Sequence, residues 1–289
     1  MAESNAAYEL AKAKFEDKFF IEKLTDNEKN LDLITDFNGG EFGKGLVDYL
    51  TEYAWEDMQN GDICVYLVKD KISKDIAAFF SLKSGLLYTP DGVDSYPSND
   101  KDFLKLIIDA LENNDEELLT AYKCSGMYSP ERFDQFVDDA RRFIFQKKEK
   151  EKREAIFVDK TFSAVEIHDL CKNYNFPWDE SDELIPIGIQ AFWFGAVPIV
   201  LEVAERIGCK YAYLFAADRN IISSDADGYK LVEYYRSNFM FDDASKEGVA
   251  TVKPRYDLNC LEMVSLISDV KDNQYTIWER FSDFLGVSN

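Results

Sequence analysis

The chain of 289 residues is 46% apolar and carries five cysteines, one histidine and a net charge of −22, enough for a packed core in one large domain or two small ones. That charge opposes direct binding to nucleic-acid phosphate and fits solubility, a basic partner or a basic substrate. No run of about 18 apolar residues predicts a membrane span, and Met1-Ala2-Glu3-Ser4 lacks the basic and apolar regions of a signal peptide.

In chain order, residues 7–18 read as a helix with Tyr8, Leu10, Ala11 and Phe15 on one face, and residues 19–24 as a first strand. Asn38-Gly39-Gly40 and Gly43 mark a turn. Leu46, Tyr49, Leu50, Tyr53 and Ala54 then recur at spacings of three and four, one face of a helix. Residues 63–68 and 76–82, separated by a turn-like stretch, read as a hairpin.

From Thr89 the character changes. Phe103, Leu106, Ile107 and Leu111 have helical spacing, residues 115–123 form a shorter helix, and Ser129-Pro130 is a helix start with a capping serine and proline at the first helical position. Phe133, Phe136, Val137, Ala140, Phe143 and Ile144 continue its apolar face, and the charge run from Lys147 to Glu154 is a solvated helix end. Residues 89–160 are therefore expected to be a helical insertion, with residues 1–88 and 161–289 supplying the two parts of the main domain.

Ile156-Phe157-Val158 reads as a short strand, and Ala164-Val165-Glu166-Ile167-His168-Asp169-Leu170-Cys171 as a longer one. Pro186-Ile187-Gly188-Ile189-Gln190-Ala191 opens a helix that is apolar nearly all round (Phe192, Trp193, Phe194, Val197, Ile199, Val200), a pattern of burial, which Pro198 should kink. Residues 209–218 are a buried strand by composition, residues 231–236 lie on a helix, and residues 249–252 and 261–267 are strand-like. Tyr275, Ile277, Trp278, Phe281, Phe284 and Leu285 predict a terminal helix. The cysteines form no CxxC pair, and the lone histidine has no second for a metal site. Structural zinc is not expected, and reduced, mostly buried thiols in a cytoplasm are.

This order of elements resembles that of the GNAT acetyltransferase superfamily over roughly residues 19–88 and 160–268. The resemblance implies an α/β (α+β) fold: a mixed, mostly antiparallel sheet with a splayed central strand, flanking helices and, here, a helical insertion. It implies acetyl-CoA as cosubstrate, its pantetheine arm pairing with the splayed strand near Leu170, Cys171 and Lys172. Glu166 becomes the candidate general base on an acceptor amine, or else a strand glutamate facing solvent or a lysine. His168 lies on the same strand face and shares proton transfer or serves structure.

The phosphate loop falls on Ile187, Gly188, Ile189, Gln190 and Ala191, where backbone N–H groups at a helix start would cradle pyrophosphate. Gly188 keeps the family's glycine; Ile185 replaces an arginine or glutamine, and Gln190 replaces a small residue. Upstream, Asp179-Glu180-Ser181-Asp182-Glu183 repels phosphate if it lies beside it, or binds a basic acceptor, or faces water. Tyr235, with Tyr234 as the alternative, is the candidate general acid to the departing thiolate, although Phe239-Met240-Phe241 stands where the family has glycine-phenylalanine. Asn220 matches a position that contacts the pantetheine arm.

The expected function is a cytoplasmic N-acyltransferase that moves an acetyl group from acetyl-CoA to an amine, by direct transfer in a ternary complex. The acceptor is a small molecule or protein, with the acidic balance favouring a cationic one. The alternative is an inactive GNAT-fold binding module whose acidic surface recruits a basic protein. The insertion is expected to shape acceptor recognition or a homo-oligomer interface.

Overall fold

The structure, a computed structural model, describes residues 2–90, 96–153, 158–179, 184–217, 230–252 and 260–286. The chain divides into two compact units. One is Met1–Leu87 with Phe162–Glu247 and Thr251–Asn289, the other Tyr88–Thr161 with Gly248–Ala250.

One sheet holds Phe19–Lys23 (β1), Cys64–Asp70 (β2), Ile76–Pro90 (β3), Val158–Lys172 (β4), Tyr211–Ala216 (β5), Asp242–Asp243 (β6), Ala250–Thr251 (β7) and Leu261–Leu266 (β8). The order is β1-β2-β3-β4-β5-β8-β6, with β7 on β3. The pairs β1–β2, β2–β3, β5–β8 and β6–β8 are antiparallel, and β4–β5 is parallel. β3 and β4 run in opposite directions: the Asn173 N–H donates to the Ala77 carbonyl at 2.9 Å, whereas Ser81, later in β3, bonds Asp169, earlier in β4, at 2.6 Å. This is the mixed, mostly antiparallel sheet that the GNAT resemblance implies.

The central strands splay. β4 and β5 are in register only at Ala164↔Tyr211, Val165↔Ala212 and Glu166↔Tyr213. Beyond that fork β4 continues to Lys172 and β5 to Ala216 without further registered pairs among the described residues. The expected strands at 156–158 and 164–171 are one element, β4, from Val158 onward; residues 156 and 157 lie outside the described residues.

Strand alternation gives the sheet two apolar faces. On one, Val68, Phe80, Leu82, Val165, Ile167 and Leu214 pack against the helices Ala2–Lys18 and Ile187–Ile207 and the segment around Trp278. On the other, Val65, Leu67 and Phe79 meet Leu24, Ile34, Phe37, Leu50 and Ala54. The helix predicted through residues 46–54 is two, Lys44–Glu52 and Ala54–Asn60.

The helix Ile187–Ile207 is by length and composition apolar enough to cross a membrane, yet residues 191–197 and Val200 are buried inside the protein. Its middle is a π-helical turn, Ala191–Ala196, and Pro198 falls in the first turn of the α-helical segment Val197–Ile207 that follows. The wider turn changes the hydrogen-bond pattern just where the proline lacks a donor. Gly195, within that turn, lies against the sheet: a Cβ there would come within 2.8 Å of the Phe80 ring. All five thiols are free; Cys171 and Cys209 are buried, but Cys64 and Cys124 are exposed, which corrects the expectation of mostly buried cysteines.

The second unit has its own core. Phe103, Leu104, Ile107, Phe133, Phe136, Ala140 and Phe143 gather between the helices Ser98–Glu112, Glu116–Cys124 and Pro130–Arg153. Leu104 takes the buried place that the spacing gave to Leu106, which is exposed. Ser129 accepts from the Arg132 N–H at 3.3 Å, the capping bond its sequence predicts.

Candidate active site

The site begins with an irregularity in β4. Val165 and Ile167 pack into the face that carries the long apolar helix, so Glu166 and His168 face the other side, where the His168 ring meets Tyr49 edge-on at 6.3 Å. Strict alternation would put Leu170 and Lys172 with them. Instead Leu170 packs against the first core and Cys171 enters the second. The alternation slips by one residue between His168 and Leu170, as it does at a β-bulge. From the last pair onward, one strand edge thus presents Glu166 and His168 to one face and Leu170 and Lys172 to the other.

On the Leu170 side lies a cavity of about 470 Å³. Leu170 and Lys172 line it from β4, Tyr174 and Trp178 from the turn after it, Pro186, Ile187 and Gly188 from the apolar helix's start, and Leu231, Tyr234 and Tyr235 from the helix Lys230–Phe239. The Lys172 ammonium sits 4.6 Å from the Trp178 ring centre and 5.5 Å from that of Tyr174, a cation over two aromatic faces of the lining. A Cβ on Gly188 would stand 3.4 Å from the Tyr234 hydroxyl, so the glycine keeps the space over the helix start open. The first N–H groups of the helix have no acceptor within it; those of Ile189 and Gln190 turn back to the Pro186 carbonyl at 2.9 and 3.3 Å.

Burial pushes the Tyr234 phenol up to about 12, with Arg280 pulling the other way. Burial, and then Tyr234, Asp169, Cys171 and Cys260, push Tyr235 up as well. Both phenols therefore hold their protons at neutral pH. Burial and Asp169 push the Cys171 thiol up to about 12, which removes it as a thiolate nucleophile.

On the opposite face Glu166 is only 6% exposed. His168 Nδ1 lies 2.7 Å from Oε1, and the Tyr213 hydroxyl donates to Oε2 at 2.8 Å. Burial pushes Glu166 up, but the bonds and charge from His168, the Tyr213 bond and the charge of Lys83 outweigh it and hold the carboxyl below its usual range. Burial pulls His168 down, and Glu166 and Asp169 outweigh that to leave the imidazole raised.

The cavity thus brings together Leu170, Lys172, Ile187, Gly188 and Tyr235 of the residues expected from sequence, and Tyr234 with them. It does not bring in the Cys171 side chain, which points to the other core. Ile189 and Ala191 are buried in the core beneath, so only their backbone remains to a ligand. Gln190 turns its amide N–H to the Ile185 carbonyl at 2.7 Å and away from a cradling role. Asn220 and residues 180–183 of the acidic loop lie outside the described residues.

Tyr213, Tyr174, Trp178 and a brace of amides join the site without being expected from the sequence. The Asn173 Oδ1 accepts from the N–H groups of Asn38 and Asn175, each at 3.0 Å, and Asn38 Nδ2 donates to Asn175 Oδ1 at 3.0 Å. Trp178 Nε1 donates to the Asn173 carbonyl at 2.9 Å. Gly40, at φ +71°, passes under Tyr174, where a Cβ would be 2.9 Å from the ring. The asparagine-rich run 173–175 and the paired glycines at 39–40 were the available signals.

No protein-family model matches the chain, and no curated protein matches it. Solved structures do. The chain is 10% identical to a mutant of KacT, with a TM-score of 0.46 over 88% of this chain and 98% of that one. Against AtaTR bound with AcCoA the identity is 11% and the TM-score 0.44, over 88% and 97% of the two chains. Against AtaT complexed with acetyl-methionyl-tRNAfMet they are 13% and 0.43, over 88% and 97%. Superpositions this loose lend neither a residue role nor an activity; the GNAT-like fold rests on the chain's own strand order and fork.

Proposed function

We propose that this protein is a GNAT-type N-acyltransferase that takes an acyl group from acyl-CoA, acetyl-CoA first among them, and passes it directly to an amine. The single observation that carries this reading is the fork. Parallel pairing stops at Glu166↔Tyr213, and the freed edge of β4 borders a cavity closed by a helix start bearing Gly188. An extended, amide-bearing arm pairs with such an edge as an added strand would. Gly188 leaves room for a diphosphate at the helix start, and Lys172 supplies a cation in the lining. Ile185 and Gln190 contribute nothing comparable to a phosphate.

Bound acetyl-CoA supplies the acyl group already activated as a thioester. Tyr235, protonated at neutral pH, gives a proton to the departing sulfur. The Glu166–His168 pair, on the opposite face of the same edge, handles the proton of the incoming amine. The high Cys171 pKa favours direct transfer over an acyl-cysteine route. The net charge of −22 favours a cationic acceptor.

Titration calorimetry with acetyl-CoA and with free coenzyme A tests this. Both are expected to bind with dissociation constants of order micromolar, about −8 kcal/mol. No heat from either overturns the reading. The Gln190–Ile185 bond favours the rival in that case, an inactive fold whose acidic surface recruits a basic protein through contacts that salt weakens.

A further inference from the structure

We infer that His168 is the group that takes the acceptor's proton, through Nε2, with Glu166 as its positioning residue; this rests on the acyl-transfer reading above. Both Glu166 oxygens are already engaged, Oε1 by His168 and Oε2 by Tyr213, and its side chain is 7% exposed against 18% for His168. An amine would have to break a buried bond to reach Glu166. His168 lies two residues beyond the last β4–β5 pair, where the strands have parted. Its Nδ1 is held by Glu166, while Nε2 has no hydrogen-bond partner among the described residues.

The arrangement is that of a carboxylate orienting an imidazole so that one tautomer prevails: Nδ1 carries the proton towards Glu166, and Nε2 is the bare, basic nitrogen. The bulge between His168 and Leu170 makes the geometry work. It leaves the imidazole on the face opposite the acyl-donor cavity, so acceptor and donor approach one gap from two sides.

The step balances. The amine nitrogen bonds the acyl carbon as the carbon–sulfur bond breaks. Nε2 takes the proton that the nitrogen loses, and Tyr235 gives one to sulfur. The imidazolium then releases its proton to water, and Tyr235 regains one, so that amine and thioester have become amide and thiol.

The charged and titratable groups around the imidazole come from every neighbouring element. Glu166 and Asp169 lie on β4, Lys83 on β3 and Tyr213 on β5. Tyr49 comes from the helix Lys44–Glu52, its hydroxyl donating to Asp57 at 3.1 Å, and Glu262 on β8 lies beyond Tyr213. Asp169, buried and bonded to Ser81, is held up by burial. The carboxylate of Glu166 in direct contact dominates.

Because this is the only histidine in the chain, its NMR signals are unambiguous. Nitrogen–carbon correlation spectra of the intact protein, with and without acetyl-CoA, should give a neutral form protonated on Nδ1. Its titration midpoint should lie above the ordinary 6.5 and fall in Glu166→Gln. Coenzyme A release from acetyl-CoA, with spermidine as amine probe and with water alone, is then compared in wild type and His168→Gln. Turnover should drop about 100- to 10,000-fold with acetyl-CoA affinity unchanged, and the wild-type rate should climb with pH along the NMR titration curve. A neutral form protonated on Nε2, full turnover by His168→Gln, or no release by wild type above the rate without protein overturns the assignment. Failure to bind acetyl-CoA at all instead removes the acyl-transfer reading, and leaves the Nδ1 result standing as a structural pair.

Discussion

Glu166 and Tyr213 are backbone register partners in the last parallel pair of β4 and β5, and the same two residues are joined by their side chains, the phenol donating to the carboxylate at 2.8 Å. The hydrogen bond therefore closes the fork at its apex. It sits where the pairing ends and the open strand edge begins.

Tyr213→Phe should loosen that apex. It leaves a buried carboxylate oxygen without its donor, which costs about 1–3 kcal/mol. Chemical denaturation should register the loss, with Glu166 losing one of the bonds that hold its pKa down. An unchanged midpoint would mean that water replaces the phenol and that the apex is not pinned by this contact.

Gly188→Val separates ligand binding from folding. The position has ordinary contact distance for a Cβ, so the melting temperature should move by little, while added methyls fill the helix-start cradle and should weaken acetyl-CoA at least tenfold by calorimetry. Equal affinity for both proteins would place the diphosphate elsewhere.

Tyr235→Phe keeps the cavity wall and removes the proton. Turnover should fall about 100- to 10,000-fold, with acetyl-CoA affinity held within a few-fold. If Tyr234→Phe produces that loss and Tyr235→Phe does not, the acid is the neighbouring phenol.

The ion pair sets a pH window for stability. Glu166, held below its usual 4.5, contributes stability that is present above pH 4.5 and is lost as pH falls through its folded value. His168, raised above 6.5, contributes below pH 6.5 and loses it as pH rises through its folded value. The melting-temperature gap between wild type and Glu166→Gln should thus peak between those limits and shrink on both sides. A gap independent of pH would show that the pair is not ionic.

Gly195→Ala tests the packing of the apolar helix. Its methyl would meet the Phe80 ring at 2.8 Å and Ile21 at 3.2 Å, an overpacking worth about 1–3 kcal/mol. Thermal denaturation should record a lower midpoint with acetyl-CoA affinity unaltered.

Much of this was legible in the sequence because it depends on periodicity. The β2–β3 hairpin and the apolar helix follow from local pattern, and the cavity residues Leu170, Gly188 and Tyr235 from the resemblance to the GNAT superfamily. The face that each β4 residue presents was not legible. Period two alone puts Glu166, His168, Leu170 and Lys172 together, and a bulge has no residue signature here to announce the slip. Nor was the part played by Tyr213, which depends on a parallel register that pairs it with a residue 47 positions earlier. Leu104 and Leu106 differ by two positions on one helix, and which is buried was decided by the packing of the three-helix core.

The π-turn at Ala191–Ala196 has a consequence for how this chain tolerates change in length. A π-turn holds one more residue than the α-helical turn it replaces. Removing a single residue from it would take out that extra residue and rotate everything upstream by about 100°. Gly188 would then swing away from the cavity, while the aliphatic Val197, Val200 and Ala204 downstream kept their places in the core. The helix start is aimed by a count of residues, so a one-residue deletion there would turn Gly188 from the cavity and Ile187 and Ile189 from the core together.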